Sequence, residues 1–434
     1  MLLCCIKAPQ LEYIDLGGDF MLSQINFFLC GVALPIALCV LGVFFLFRLR
    51  FFYILHPLRT LKVIFHSSGG FRPLCVALAG TLGVGNIVGV CSALIMGGAG
   101  AVFWMLVSAT LSMGIKYAEA FLSIRHRRGC VNNYYGGAPY YIEDSSPKYG
   151  RVLGGIFAVL CIINSLSTGT LVQIGSISEL FTSYRWVFGV AISLVVALVV
   201  IGGQRRIQAI SSILIPIITL SYLAISLFII FSHPSRLCVA ILRIFKEAFS
   251  IKSACAGCVG YGIAGAIRYG FTRGLLSNEA GCGTATVAHA SSSLDAHSQG
   301  CLGIFEVFWD TIVLCLVTAL VVLIADTGGD NPIELAVSSY GAFLGGFGRA
   351  FIVGSCVLLA LATVCTQFYY GDKSLKFLTK SRRGLFLYSF IFFFVCVASA
   401  IISPKIMWHI SDFVVALLAL FNLVFLAFLS KEIK

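Results

Sequence analysis

The chain of 434 residues is 59% hydrophobic and 11% charged, and 30 Lys and Arg against 18 Asp and Glu give it a formal net charge of +12. A soluble globular domain carries about 25% charged residues, so this composition excludes a cytosolic enzyme, a disordered chain and a nucleic-acid binder. What remains is an all-α integral membrane protein.

A bilayer-spanning helix needs about 20 mainly apolar residues. In chain order the sequence predicts eleven spans, over residues 26–47, 73–96, 101–124, 152–180, 186–202, 207–231, 253–270, 302–324, 351–370, 385–402 and 407–429. None shows the alternating polarity of a membrane β-barrel. The fifth is short and the fourth long, which predicts different tilts. Residues 1–25 form an N-terminal segment whose Glu12, Asp15 and Asp19 do not suit a cleavable signal, and Met21 is a candidate start.

The positive charge reads as a topology signal. With the N-terminus outside and the C-terminus cytoplasmic, the inner loops hold Arg48, Arg50, Arg59, Lys62 and Arg72, then Arg125, Arg127 and Arg128. Arg205, Arg206, Arg273 and the group Lys373, Lys376, Lys380, Arg382 and Arg383 fall on the same side. The stretch 236–252 opposes this orientation with Arg236, Arg243, Lys246 and Lys252. The expected location is the cell membrane.

The 17 cysteines are scattered through apolar runs, which suits packing. Cys255 and Cys258 form a CxxC without a second pair, so neither zinc nor redox chemistry is expected there. His289 and His297 flank a polar loop that is no better a metal site.

Glycine is concentrated at two places. Residues 80–86 read GTLGVGN, in the second span, and residues 256–262 read AGCVGYG, in the seventh. Each cluster opens a run of five helices, 72–231 and 253–430, behind a lone N-terminal helix at 26–48. A helix broken at membrane depth offers backbone N–H groups to an anion and free carbonyls to a cation. Two matching breaks predict a 5+5 inverted-repeat secondary transporter with its site near the midplane. Close packing through small residues, as at Gly85 and Gly89, is the alternative account of the same glycines.

Residues 78–90 (LAGTLGVGNIVGV), 97–105 (GGAGAVFWM), 116–120 (KYAEA) and 136–143 (GGAPYYIE) resemble signatures of the alanine or glycine:cation symporters. So do 273–281 (RGLLSNEAG), 306–311 (EVFWDT) and 369–373 (YYGDK), in the family's order from about residue 50 to 430. The resemblance implies a leucine-transporter-like fold with one extra N-terminal helix and two discontinuous helices. It also implies sodium-coupled uptake of a small neutral amino acid, alanine or glycine, by alternating access. No organic cofactor, nucleic acid or protein partner is implied; the partners are the amino acid, the sodium ion and the lipid bilayer. Coupling to protons, or uncoupled transport of broader specificity, is the alternative.

Carried over residue by residue, the resemblance places substrate at Thr81, Gly83, Val84, Gly85, Asn86 and Gln173, and at Gly257, Cys258 and Gly260 of the second cluster. Around Gln173 the chain departs from the family, with Thr170 and Gly175 where asparagines are common. Cys258 stands where the family often has phenylalanine, which widens the pocket towards serine or a larger residue. Sodium is placed at Thr81, Val84, Thr363 and the backbone of Ala362, where relatives carry a second hydroxyl.

Charged residues within or beside the spans need partners. Lys116 and Glu119 stand three apart on the third span, as a salt bridge, a gate latch or a proton relay. Glu306, Asp310 and Arg268 are expected to pair across the cytoplasmic mouth, gating the pathway or holding helices together. Asn278 and Glu279 read as a cap. Ser277 beside them has no histidine partner, and no GxSxG, HExxH or central carboxylate pair supports an intramembrane enzyme. Two breaks within one chain also suit alternating access better than a symmetric pore.

Overall fold

The computed structural model describes residues 24–57, 60, 63, 70–130, 133–181, 183–250 and 262–433. The first helix is α1 (Gln24–Arg48). The second span is divided into α2 (Phe71–Thr81) and α3 (Val88–Gly97), followed by α4 (Gly100–Arg125). A short antiparallel hairpin, β1 (Arg128–Cys130) with β2 (Asn133–Tyr135), pairs Arg128 with Tyr135 and leads into α5 (Ala138–Asp144). Then come α6 (Gly150–Phe181), α7 (Arg185–Val200), α8 (Gly203–Ser232) and α9 (Pro234–Ala248). The second half holds α10 (Ile263–Asn278), α11 (Thr286–Ala290), α12 (Ala296–Ala325), α13 (Pro332–Leu378), α14 (Arg382–Ser399) and α15 (Pro404–Glu432).

Eight of the described helices are long and apolar enough to cross a bilayer: α1, α4, α6, α8, α12, α13, α14 and α15. Helices α2, α3 and α7 are apolar but shorter. The outer faces of the bundle expose Phe44, Phe47, Leu194, Ile213, Phe228, Phe386, Phe390 and Phe394, a surface that only lipid tails solvate without penalty. The long helices start where the sequence caps them. Asp295 accepts the Ser298 N–H before α12, and Asn331 accepts the N–H groups of Ile333 and Glu334 before α13, with Pro332 at its first position.

Successive spans alternate in direction; we call the end where α1 begins upper and the end where it finishes lower. Helix α1 runs beside α4 in the same direction, with Phe45 against Gly114 and Leu111 against Gly42. Its Leu34, Leu38 and Phe45 are fully buried there. Helix α13 bends at Gly345 (φ 58°), a conformation that favours glycine, so an upper arm precedes the spanning part. At the upper end α9 buries Ala240, Ile244 and Ala248 and keeps Arg236 and Lys246 outward. Arg236, Arg243 and Lys246, which opposed the predicted orientation, thus belong to an amphipathic helix at that end and not to a bare loop, while Lys252 lies outside the described residues.

Candidate functional site

The second span loses its helical path at Leu82 and Gly83. Leu82 ends α2 with ψ 84°, and Gly83 is extended (φ −125°, ψ −154°) before a single tight turn at Val84–Asn86. Thr81, Val84, Gly85 and Asn86 are all buried. A broken helix in a dry interior needs other partners for its backbone, and side chains supply them. The Gly83 N–H donates to Asn86 Oδ1 at 3.2 Å, and the Val84 N–H donates to Gln173 Oε1 at 2.9 Å. The Leu82 carbonyl accepts the Thr363 hydroxyl at 3.1 Å. A side chain at position 83 would put its Cβ against Gln173 Oε1, so glycine there leaves Gln173 room to reach the break.

Gln173 follows a π-helical stretch, Ser167–Leu171, in α6. Such bulges re-aim the side chains that follow them, and this one presents Gln173 to the break. Thr81 turns its own hydroxyl back to the carbonyls of Ala77 and Leu78, and the Val84 carbonyl takes the Ile87 N–H. The break oxygen that accepts the Thr363 hydroxyl is that of Leu82, between Thr81 and Val84. Ala362 is buried one residue before Thr363.

Facing this break is a second interruption, at a place the sequence reading did not choose. Helix α10 ends at Asn278; Glu279 (φ 47°), Gly281 (φ 95°) and Gly283 (φ 70°) then turn the chain before α11. All of residues 270–290 are buried. The Cα of Ser277 and the carbonyl of Leu276 lie 3.4–3.5 Å from where a Gly85 Cβ would stand, so the two interruptions touch. Gly257, Cys258 and Gly260, on which the second break was expected, lie outside the described residues.

Asp310 joins the two interruptions. It sits in a π-helical stretch of α12, Phe308–Cys315, and is fully buried. Its Oδ1 accepts Asn86 Nδ2 at 2.8 Å, and its Oδ2 accepts the hydroxyls of Ser277 at 2.5 Å and Thr311 at 2.8 Å. Asn86 also donates to Ser277 Oγ at 3.0 Å. This corrects the expectation that Asp310 pairs with Arg268. Arg268 stands in the upper part of α10, with its guanidinium over the ring of Phe27 at 4.7 Å.

The lower half holds a second group of buried charges. Lys116 pairs with Glu306 at 3.0 Å, both side chains with 0% exposure, and donates to the Asn278 carbonyl at 3.2 Å. Glu306 Oε2 meets His289 Nε2 at 2.8 Å. Glu119, expected beside Lys116 as its partner, accepts instead the Gly283 N–H at 2.7 Å and Asn422 Nδ2 at 2.8 Å. Glu279 accepts Thr284 Oγ1 and, at 3.0 Å, Gln367 Nε2.

Above the interruptions, Arg273 and Asp412 form a two-pronged ion pair at 2.9 and 3.3 Å, with Arg273 over the Trp408 ring at 4.5 Å. Arg273 had been expected in an inner loop. Its sequence signal was Asp412, the one carboxylate inside the last span, which cannot sit there unpaired.

The chain and its fold have counterparts among known proteins. A model described as the sodium:alanine symporter family matches residues 17–434. An uncharacterized transporter from Haemophilus influenzae is 34% identical, over 96% of this chain and 94% of its own. The sodium/alanine symporter AgcS of Methanococcus maripaludis is 32% identical, over 94% of each chain. The probable sodium/glutamine symporter GlnT of Bacillus subtilis is 28% identical, over 94% of this chain and 87% of its own. Among solved structures, MhsT in complex with L-phenylalanine superposes with a TM-score of 0.61 at 13% identity, covering 84% of this chain and 89% of that one. A mutant manganese transporter from Eremococcus coleocola gives 0.54 at 15% identity, covering 82% and 76%.

Proposed function

The chain belongs to the sodium:alanine symporter family, and on that premise we propose that it moves a small neutral amino acid into the cell together with sodium, by alternating access. It is a membrane transporter, not an enzyme. The finer reading takes 72–231 and 253–430 as two inverted five-helix repeats, with the N-terminus outside and the C-terminus cytoplasmic.

The observation that carries the proposal is the pair of buried interruptions in contact, one offering backbone N–H groups and the other a helix end. A zwitterionic amino acid needs donors for its carboxylate and acceptors for its ammonium, in a place free of water. The carboxylate is assigned to the turn at Gly83–Asn86, where Gln173 holds the Val84 N–H until substrate replaces it. Asn86, tied to Ser277 and Asp310, transmits that occupancy to the second interruption. Sodium is assigned between the Leu82 carbonyl and the Thr363 hydroxyl, which are hard oxygens already in contact. With Ala362 in place of a second hydroxyl, the remaining ligands come from backbone oxygens of the break.

The Lys116–Glu306 pair closes the lower route and the Arg273–Asp412 pair the upper one. Rocking opens one pair while the other stays shut. Relatives named for alanine and for glutamine bracket the substrate range. The test is uptake of labelled alanine into proteoliposomes under an inward sodium gradient, with unlabelled glycine, serine, glutamine and phenylalanine as competitors. Inhibition by the small neutral residues and not by phenylalanine is expected; sodium-driven uptake that none of them inhibits would refute the assignment.

A further inference from the structure

Among the described residues, four carboxylates lie fully enclosed around the two interruptions: Glu119, Glu279, Glu306 and Asp310. They face one lysine, Lys116, and one histidine, His289. Even with His289 protonated, two negative charges are left over in a region that water does not reach. An isolated carboxylate in such surroundings is neutralised rather than tolerated.

The hydrogen bonds indicate which of the carboxyls takes a proton first. Glu306 has the Lys116 ammonium at 3.0 Å. Asp310 accepts three side-chain donors, from Asn86, Ser277 and Thr311. Glu119 accepts two N–H groups, from Gly283 and Asn422. These sets suit anions. Among the described residues Glu279 also accepts two donors, the Thr284 hydroxyl and one hydrogen of the Gln367 amide, and the second of these sits on a group that can turn.

Gln367 carries the independent sign. It is fully buried, and its Nε2 reaches both Glu279 Oε1 at 3.0 Å and the Gly80 carbonyl at 3.4 Å, yet among the described residues its Oε1 has no donor. An orphaned amide oxygen in a dry interior costs about 1–3 kcal/mol. Gly169 packs against its Cβ and Cγ, so the stem is held and only the terminal amide can turn. Turned over, the amide oxygen faces Glu279, and it is satisfied only if Glu279 bears a proton.

We propose that Glu279 is a proton-binding site of the transporter, and that its proton, donated to the Gln367 amide oxygen, frees the Gly80 carbonyl and so unlocks the end of α2. Ionised Glu279 holds the amide in its present direction and ties the first break to α13. Protonated Glu279 reverses the amide and breaks that tie. The proton comes from water and returns to it when either route opens. Gln367 lies one helical turn beyond Thr363, so proton and cation act on neighbouring atoms of one break. The groups facing Glu279 are Lys116 from α4, Glu306 from α12, Tyr370 from α13, Cys161 from α6 and Cys282 from its own loop, and Glu119 of α4 faces the same two cysteines. The chemistry depends on neither the amino acid carried nor the cation.

The test is infrared difference spectroscopy of the purified full chain in lipid, titrated across neutral pH with no substrate and only potassium present. The wild type is expected to show the carbonyl stretch of a protonated carboxyl. Glu279→Gln should lose one carboxyl's share of that band, and Glu119→Gln should keep it. Gln367→Leu should retain the band but shift it to higher wavenumber, since the acid proton loses its acceptor. An unchanged band in Glu279→Gln, or its loss in Glu119→Gln, overturns the proposal. Should Glu279→Gln not fold, Gln367→Leu decides alone, and an unshifted band there overturns it. Because no amino acid is added, this outcome is separate from that of the uptake experiment.

Discussion

The side-chain oxygen of Gln173 accepts the backbone N–H of Val84 at 2.9 Å, across 89 residues of sequence. This one contact fastens the fourth span to the broken second span and occupies a donor assigned to the substrate carboxylate. Gln173→Ala leaves that buried N–H unpaired, at about 1–3 kcal/mol. The KM for alanine should fall about tenfold, because the substrate carboxylate then fills a donor that no side chain competes for. Gly83→Ala should lower uptake, because its Cβ would fill the space in which Gln173 and the carboxylate meet the break. Normal KM in both variants would remove Gln173 from the site.

Thr363 donates to the Leu82 carbonyl at 3.1 Å and to Leu359 in its own helix at 3.0 Å. Thr363→Val keeps the shape and removes the oxygen. The sodium concentration for half-maximal uptake should rise at least tenfold, with the alanine KM at saturating sodium little changed. Ala362→Ser should lower the sodium requirement by adding an oxygen one residue away. An unchanged sodium requirement in Thr363→Val would move the ion elsewhere.

Lys116 and Glu306 are enclosed together, so removing one partner strands the other. Lys116→Met should lower stability by about 3–5 kcal/mol. The double variant Lys116→Met with Glu306→Gln should recover much of that loss, because no bare charge remains. Thermal melting in detergent measures both. A double variant less stable than the single one would show that Glu306 does not depend on Lys116.

Much of this was legible in the sequence, but unevenly. The first break was placed by its glycines and Asn86, since a glycine-weakened stretch with an amide beside it has few other uses at membrane depth. All but the last residue of the second glycine cluster, 256–262, lies outside the described residues. The interruption after Asn278 was not read from the sequence, because its turn starts at Glu279 with φ 47° before Gly281 and Gly283 and is held by side-chain hydrogen bonds. Taking the seventh span as 253–270, where the helix runs Ile263–Asn278, misplaced the residues around its end. Arg273 was moved into a loop, and Arg268 was assigned to the lower end although it lies beside Phe27 at the upper one. The π-helical stretch that turns Asp310 towards Asn86 has no composition signal, since it changes the helical period and not the residue types. Helix α9 was hidden because its charges were counted for orientation and not for periodicity.

The cap of α12 is open to pH. Partial burial works to raise the Asp295 carboxyl, but hydrogen bonds from Ser298 outweigh it and hold it below its ordinary value. A lowered carboxylate contributes stability above its unfolded value and loses it as pH falls through the folded one. Asp295→Ala should therefore cost about 1 kcal/mol at neutral pH. In strong acid that difference from wild type should shrink towards nothing. A melting difference that is constant with pH would exclude an ionised cap.

Coupling of two fluxes is the centre of the account, and linkage makes it reciprocal. The direct measurement is labelled sodium flux in proteoliposomes at equal sodium on both sides, with alanine added on one side only. Alanine flowing down its gradient should carry sodium with it, accumulating the label on the far side, and Thr363→Val should abolish that accumulation. Alanine flux that moves no sodium would contradict a sodium symporter.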